Sequence, residues 1–411
     1  MPPESPRRRA PRSRRSRQRV PAYVEDPVVA PLATPAATGA NQVRAVEAET
    51  TVAPDPATAG PADRSAPAPT PIAERPGARA TVLDVAPRRR HYRGLAALWG
   101  LVVAGGLACL VAAIVPVGPV WLDRVGAITV VTAYTWALAA RSGGRPVVFG
   151  LLALVLGVTV QVVDEPYLRT GAAVMTCVVA AVLAVMATVP AVRFAQAARE
   201  CVLAVLIAAG GALATIGFDP VLSVVRFEYV TLGLALASAF ILVHRLGAGL
   251  HGLGRRGLIG VVAGGLVLGG LLLYAELLRR YGPSDMVGSL LDAVRWSRDT
   301  LGAFPRPIVA VLGVPTLVWG VHMRARRRQG WWLCAFGAAA TTAVANSLVN
   351  PEITLLECGL SVLYGTVVGL VVGYAVVRVD LALTGSRGAG GRRAEESAAV
   401  RPEPARTAPL F

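Results

Sequence analysis

The chain has 411 residues, 54% of them hydrophobic and only 16% charged, with a formal net charge of +16. Soluble domains carry roughly 25% charged residues, so a soluble enzyme or a nucleic-acid-binding module is excluded as the body of the molecule. The arginines sit in the tails and at the ends of apolar runs, and no nucleic acid is expected; the mean hydropathy of +0.55 points to a bilayer as the main partner.

Residues 1–87 open with Arg7-Arg8-Arg9 and are rich in Pro and Ala. Such composition buries too little apolar surface to offset chain entropy, so a disordered cytoplasmic tail is expected, its arginines contacting anionic lipid. It lacks the apolar core of a signal peptide.

Residues 88–379 read as the transmembrane domain. A span needs roughly 20 apolar residues to cross about 30 Å of hydrocarbon. Ten stretches qualify or nearly so: Gly94–Val117, Val125–Ala140, Pro146–Val163, Thr170–Val189, Cys201–Phe218, Val230–Val243, Leu258–Leu278, Pro307–Met323, Trp331–Val349 and Ile353–Val377. The second and sixth are short and extend only into their flanks. The fold class is therefore all-α, a polytopic bundle of about ten transmembrane helices.

Orientation follows from arginine. Arg88, Arg89, Arg90 and Arg93, then Arg141 and Arg145, Arg193 and Arg199, Arg245, Arg255 and Arg256, Arg324 to Arg328, and Arg378 fall on alternate connections. The positive-inside rule puts these in the cytoplasm, with both termini inside and the chain in the plasma membrane. The longer outer loop 281–306 is the exception. There, apolar Val287, Leu290, Leu291, Val294 and Leu301 oppose Asp292, Arg295 and Asp299, the pattern of an amphipathic helix near 286–301. Residues 380–411 have the composition of a second disordered cytoplasmic tail.

Small residues recur at helix-packing spacing: Gly365, Gly369 and Gly373 in the tenth stretch, Gly260/Gly264 and Gly265/Gly269 in the seventh. Pro315, just after Gly313, interrupts the eighth stretch and is a hinge candidate, since proline removes a backbone donor. The openings Arg145-Pro146-Val147-Val148 and Arg306-Pro307-Ile308-Val309 fit a five-plus-five inverted repeat.

The candidate substrate or ion residues are Glu357, Glu276, Asn346, Gln161 and Asp164, all in the outer half. A carboxylate facing lipid is costly, so they are expected to line a polar vestibule, with Glu357 opposite Glu276, Gln161 or the Asn346/Asn350 face. Against this, Glu276 has Arg279 and Arg280 one turn on as structural partners. No nucleotide, hydrolase or zinc-protease motif is present. The five cysteines have no paired spacing, so no metal, cofactor or catalytic set is expected. The leading expectation is a permease-like protein moving a small molecule or lipid-linked group without its own ATPase. The alternatives are an envelope enzyme using a lipid-phosphate donor and a non-catalytic scaffold whose protein partners the sequence does not name.

Overall fold

A computed structural model describes residues 85–221, 223–246, 254–281, 284–325, 330–350, 353–384 and 403–410. Most of the N-terminal tail and residues 385–402 therefore lie outside the described residues. Every described element is helical, which is what a chain without water to satisfy its backbone must form. Each of the ten apolar stretches falls on helix.

The helices are α1 (Val85–Ile114), α2 (Leu122–Arg141), α3 (Pro146–Val163), α4 (Pro166–Met186), α5 (Phe194–Ile216), α6 (Val224–Arg245), α7 (Gly254–Tyr281) and α8 (Ser284–Leu301). A π-helical turn, Ile308–Gly313, runs into α9 (Val314–Arg324); α10 (Gly330–Phe336), α11 (Ala338–Ala345) and α12 (Leu355–Thr384) complete the described helices. Among the described residues, seven segments are long and apolar enough to cross a membrane, those in α1, α3, α4, α5, α6, α7 and α12. The chain is a multi-pass helical membrane protein. The other three expected spans differ for local reasons. In α2 the ends carry Asp123, Arg124 and Arg141. Ile308–Arg324 and Gly330–Ala345 are shorter, and each is interrupted.

The interruptions have visible causes. Pro315 has no N–H to donate, and the wide π turn precedes it. The Thr316 hydroxyl, next in the chain, donates to the carbonyls of Leu312 (2.8 Å) and Gly313 (3.0 Å). At Gly337, between α10 and α11, a Cβ would lie 2.8 Å from the Cys334 carbonyl and 2.8 Å from the Leu317 side chain. Only glycine lets the two helices meet α9 that closely.

These interrupted helices form the centre. All of α10 and α11 is buried, and α11 packs against α4, α5, α6 and the π turn. The centre is made of small side chains: a Cβ on Gly211 would fall 2.2 Å from Ala180, and one on Gly313 2.4 Å from Ala340. Around it, α1, α3 and α7 are mostly exposed, and α3 turns Val147, Leu151, Val155 and Val162 outward, as a lipid-facing helix must. The proposed repeat partners therefore sit differently: α3 is peripheral and regular, whereas the π turn and α9 are central.

The expected packing stripes are partly realised. Gly365, Gly369 and Gly373 of α12 seat against Val309, Val314 and Val318 respectively. Gly260 and Gly264 face Leu333 and Phe336 of α10, but Gly265 and Gly269 face open space.

Candidate functional site

Three polar groupings lie at the end of the bundle where α3 finishes and α4 begins. In the first, Asp164 ends α3 in a left-handed conformation, with φ of 52°. Its carboxylate pairs with Arg169 of α4 at 3.1 Å, and Arg169 also holds Asp219 and donates to the Phe218 carbonyl. The Gln161 amide donates to the Gly217 carbonyl at 3.0 Å. These contacts clamp the α3–α4 turn to the end of α5, a structural task.

The second grouping surrounds Arg306, which precedes the π turn. It donates to the Ala343 carbonyl (3.1 Å) and the Asn346 side-chain oxygen (3.4 Å), and reaches Glu228 of α6 at 3.5 Å. The Asn346 amide donates to the Thr231 hydroxyl at 3.4 Å. The third is a single ion pair, Arg298 of α8 to Glu357 of α12, at 3.0 Å. Glu357 is thus engaged by the amphipathic helix rather than by the vestibule residues expected opposite it. Glu276 is half-buried near the end of α7. The candidates Glu357, Asn346, Gln161 and Asp164 fall into three separate groupings.

Helix α8 has the expected bounds within two residues. Its described ties lie toward its C-terminal end: Arg298 to Glu357, the Tyr364 hydroxyl on the Leu301 carbonyl (2.9 Å), and Leu360 against Gly302. Leu290, Leu291, Trp296 and Leu301 remain exposed. Arg295 pairs with Asp292, Arg298 with Glu357 and Arg306 with Glu228, so each of these three arginines is engaged by a carboxylate.

The opposite, arginine-rich end holds what sequence reasoning missed. Arg324 at the end of α9 is fully buried (0% exposed), and so is Glu200 in α5 (1%). Arg324 donates to the Thr188 hydroxyl (2.7 Å) and carbonyl (3.1 Å), and its guanidinium lies 3.5 Å over the Trp331 ring. Glu200 accepts from the Val189 N–H (3.1 Å) and pairs with Arg199 (3.1 Å). Arg141 at the end of α2 donates to the Met186 carbonyl at 3.1 Å.

Beside them is a cavity of about 570 Å³ between α1, α2, α4 and α5, lined by Arg141, Thr188 and Glu200 with Trp99, Trp136 and Leu203. A second hollow, about 510 Å³ and more open, lies between α1, α2 and α3. It is almost wholly apolar, and Leu95, Trp99 and Trp136 border both.

The cavity is lined in part by residues 403–410, which were expected to be disordered and are instead packed onto the bundle. Glu403 pairs with Arg324 at 2.6 Å, Arg406 with Glu200 at 2.5 Å, and Arg141 donates to the Ala405 and Ala408 carbonyls at 2.8 and 2.6 Å. The segment packs mainly through charges and backbone carbonyls, with Leu410 against the core, and these leave no hydrophobic period in a sequence. Glu200 was missed because the fifth span was expected to start at Cys201. The helix begins at Phe194, two turns earlier, and carries the carboxylate inward.

No family model, no curated protein and no solved structure matches this chain. Among the described residues no group of His, Cys, Asp and Glu is placed to hold a metal ion.

Proposed function

We propose that the protein is a permease-like carrier of an amphipathic small molecule, crossing the plasma membrane ten times with its arginine-rich end in the cytoplasm. The observation that carries this reading is the pair of adjoining hollows. One offers buried charge at Arg141 and Glu200, the other an apolar groove between peripheral helices, and three residues border both. Ligand sites combine an apolar wall with a few placed polar groups in this way. The interrupted central helices support it, since broken helices are where transporters place substrate sites. The pairing of Arg295, Arg298 and Arg306 with carboxylates lends no support to an anion clamp for a lipid-phosphate enzyme. A tail binding anionic lipid fits either a carrier or a scaffold; vesicle flotation of residues 1–80 with and without phosphatidylglycerol tests that contact by itself.

A substrate-free test is available. Leu203 lines the cavity, so a Leu203→Cys variant in oriented vesicles reports which side reaches it. A carrier exposes its site alternately, so a membrane-impermeant maleimide is expected to label this position from both sides. Labelling from the arginine-rich side alone, in every condition tried, defeats the carrier reading and leaves the scaffold.

A further inference from the structure

We infer that the cavity at the arginine-rich end is a recognition site for a guanidinium cation, held shut by the chain's own Arg406 as an internal ligand. The inference rests on this cavity being the ligand site proposed above, though not on transport through it.

Arg406 shows what the site selects. Its Nε donates to the Ala187 carbonyl at 2.9 Å while Nη2 donates to the Glu200 carboxylate at 2.5 Å. A backbone carbonyl and a carboxylate are thus set to take two donors of one planar group. A guanidinium has that fork; an ammonium is a point charge and does not. Glu200 is 1% exposed, and a buried carboxylate demands a partner. Arg199, itself largely exposed, covers only the other oxygen, Oε1.

The buried groups keep part of their contacts without the closing segment. When residues 403–410 leave, Arg324 keeps both Thr188 contacts and the Trp331 ring, Arg141 keeps the Met186 carbonyl, and Glu200 keeps the Val189 N–H. What departs is the cation on Oε2, the donor on Ala187, the Glu403 carboxylate on Arg324 and the two tail carbonyls on Arg141. Arg141 also has an Nη2 with no hydrogen-bond partner among the described residues, a spare donor for a carbonyl or carboxylate on the incoming molecule. The site therefore fits a guanidinium compound with an acceptor several atoms away, and competition with residues 403–410 sets when it binds.

The test uses the full chain in lipid nanodiscs with γ-guanidinobutyrate as the guanidinium probe and γ-aminobutyrate as the ammonium control, read by calorimetry. The wild-type chain is expected to bind γ-guanidinobutyrate at least tenfold more weakly than Arg406→Ala. Arg406→Ala should prefer γ-guanidinobutyrate to γ-aminobutyrate by tenfold or more, and adding Glu200→Gln should remove the gain. A synthetic peptide of residues 403–410 should displace γ-guanidinobutyrate from Arg406→Ala, and the same peptide with alanine for its arginine should not. Equal γ-guanidinobutyrate affinity in wild type and Arg406→Ala, or displacement by both peptides, overturns the inference. One-sided labelling of Leu203→Cys with these results intact removes only the carrier reading.

Discussion

Arg324 and Glu357 are both ion-paired, and their surroundings set very different stakes. Arg324 is fully buried, with two bonds to Thr188, a carboxylate partner and an aromatic ring beneath it. Removing one partner of a buried pair costs about 3–5 kcal/mol, because the other charge is stranded. Arg324→Ala is expected to lower the thermal midpoint in nanodiscs sharply. Arg324→Lys should recover only part of it, since an ammonium can neither fork to Thr188 nor stack flat on Trp331. Glu357 pairs with a half-exposed arginine, where such bonds contribute about 0–1 kcal/mol. Glu357→Gln is therefore expected to leave the midpoint unchanged while amide exchange in α8 accelerates. Unaltered exchange there would show that α8 is held by something other than this pair. Glu357 stood out in the sequence because it interrupts an apolar run, whereas Glu200 sits beside Arg199 and read as part of a charged loop.

At the scale of elements, the glycines of α12 and α7 offer a paired comparison. A Cβ on Gly369 would meet Val314 at 2.6 Å, while Gly270 has nothing within 4 Å. Overpacking costs typically about 1–3 kcal/mol, so Gly369→Val is expected to destabilise by that amount. Gly270→Ala should be neutral or gain up to about 1 kcal/mol from helix propensity. Chemical-melt midpoints in nanodiscs decide, and equal effects would mean that α12 does not pack on α9 as described. The four-residue spacing made the α12 stripe legible in the sequence. The same spacing misled for Gly265 and Gly269, because spacing identifies a smooth face and not the neighbour that covers it. The bounds of α8 were legible from its amphipathic period. The π turn was not: Pro315 announced an interruption, but a widened turn depends on what α11 and α12 leave room for.

For the whole molecule, the apolar runs were legible because each helix satisfies its own backbone, so span and sequence segment coincide. Which spans lie at the centre was not, since peripheral α3 is the more apolar of the two and central α11 carries Thr341 and Thr342, so apolarity alone does not tell a lipid-facing helix from a buried one. The path of the chain predicts that reporters inserted at Gly143 and at Arg326 read cytoplasmic, and those at Gly302 and Asn350 extracytoplasmic. An inside reading at Gly302 would break the proposed ten-crossing path at α7 and α8.

The alanine- and glycine-built centre has a mechanical consequence. Alanine and glycine have no rotamers to exchange, so the contacts that α11 makes through its alanines cannot be re-sorted by side-chain rearrangement, and the Thr341 hydroxyl adds a bond to the Ala181 carbonyl of α4. At the two interruptions, the π turn and Gly337, backbone rather than side chain sets the geometry. Any large movement in this protein is then the swing of stiff peripheral helices about a rigid axle, with α1 and α3, the least buried of the helices that flank the two hollows, free to travel farthest.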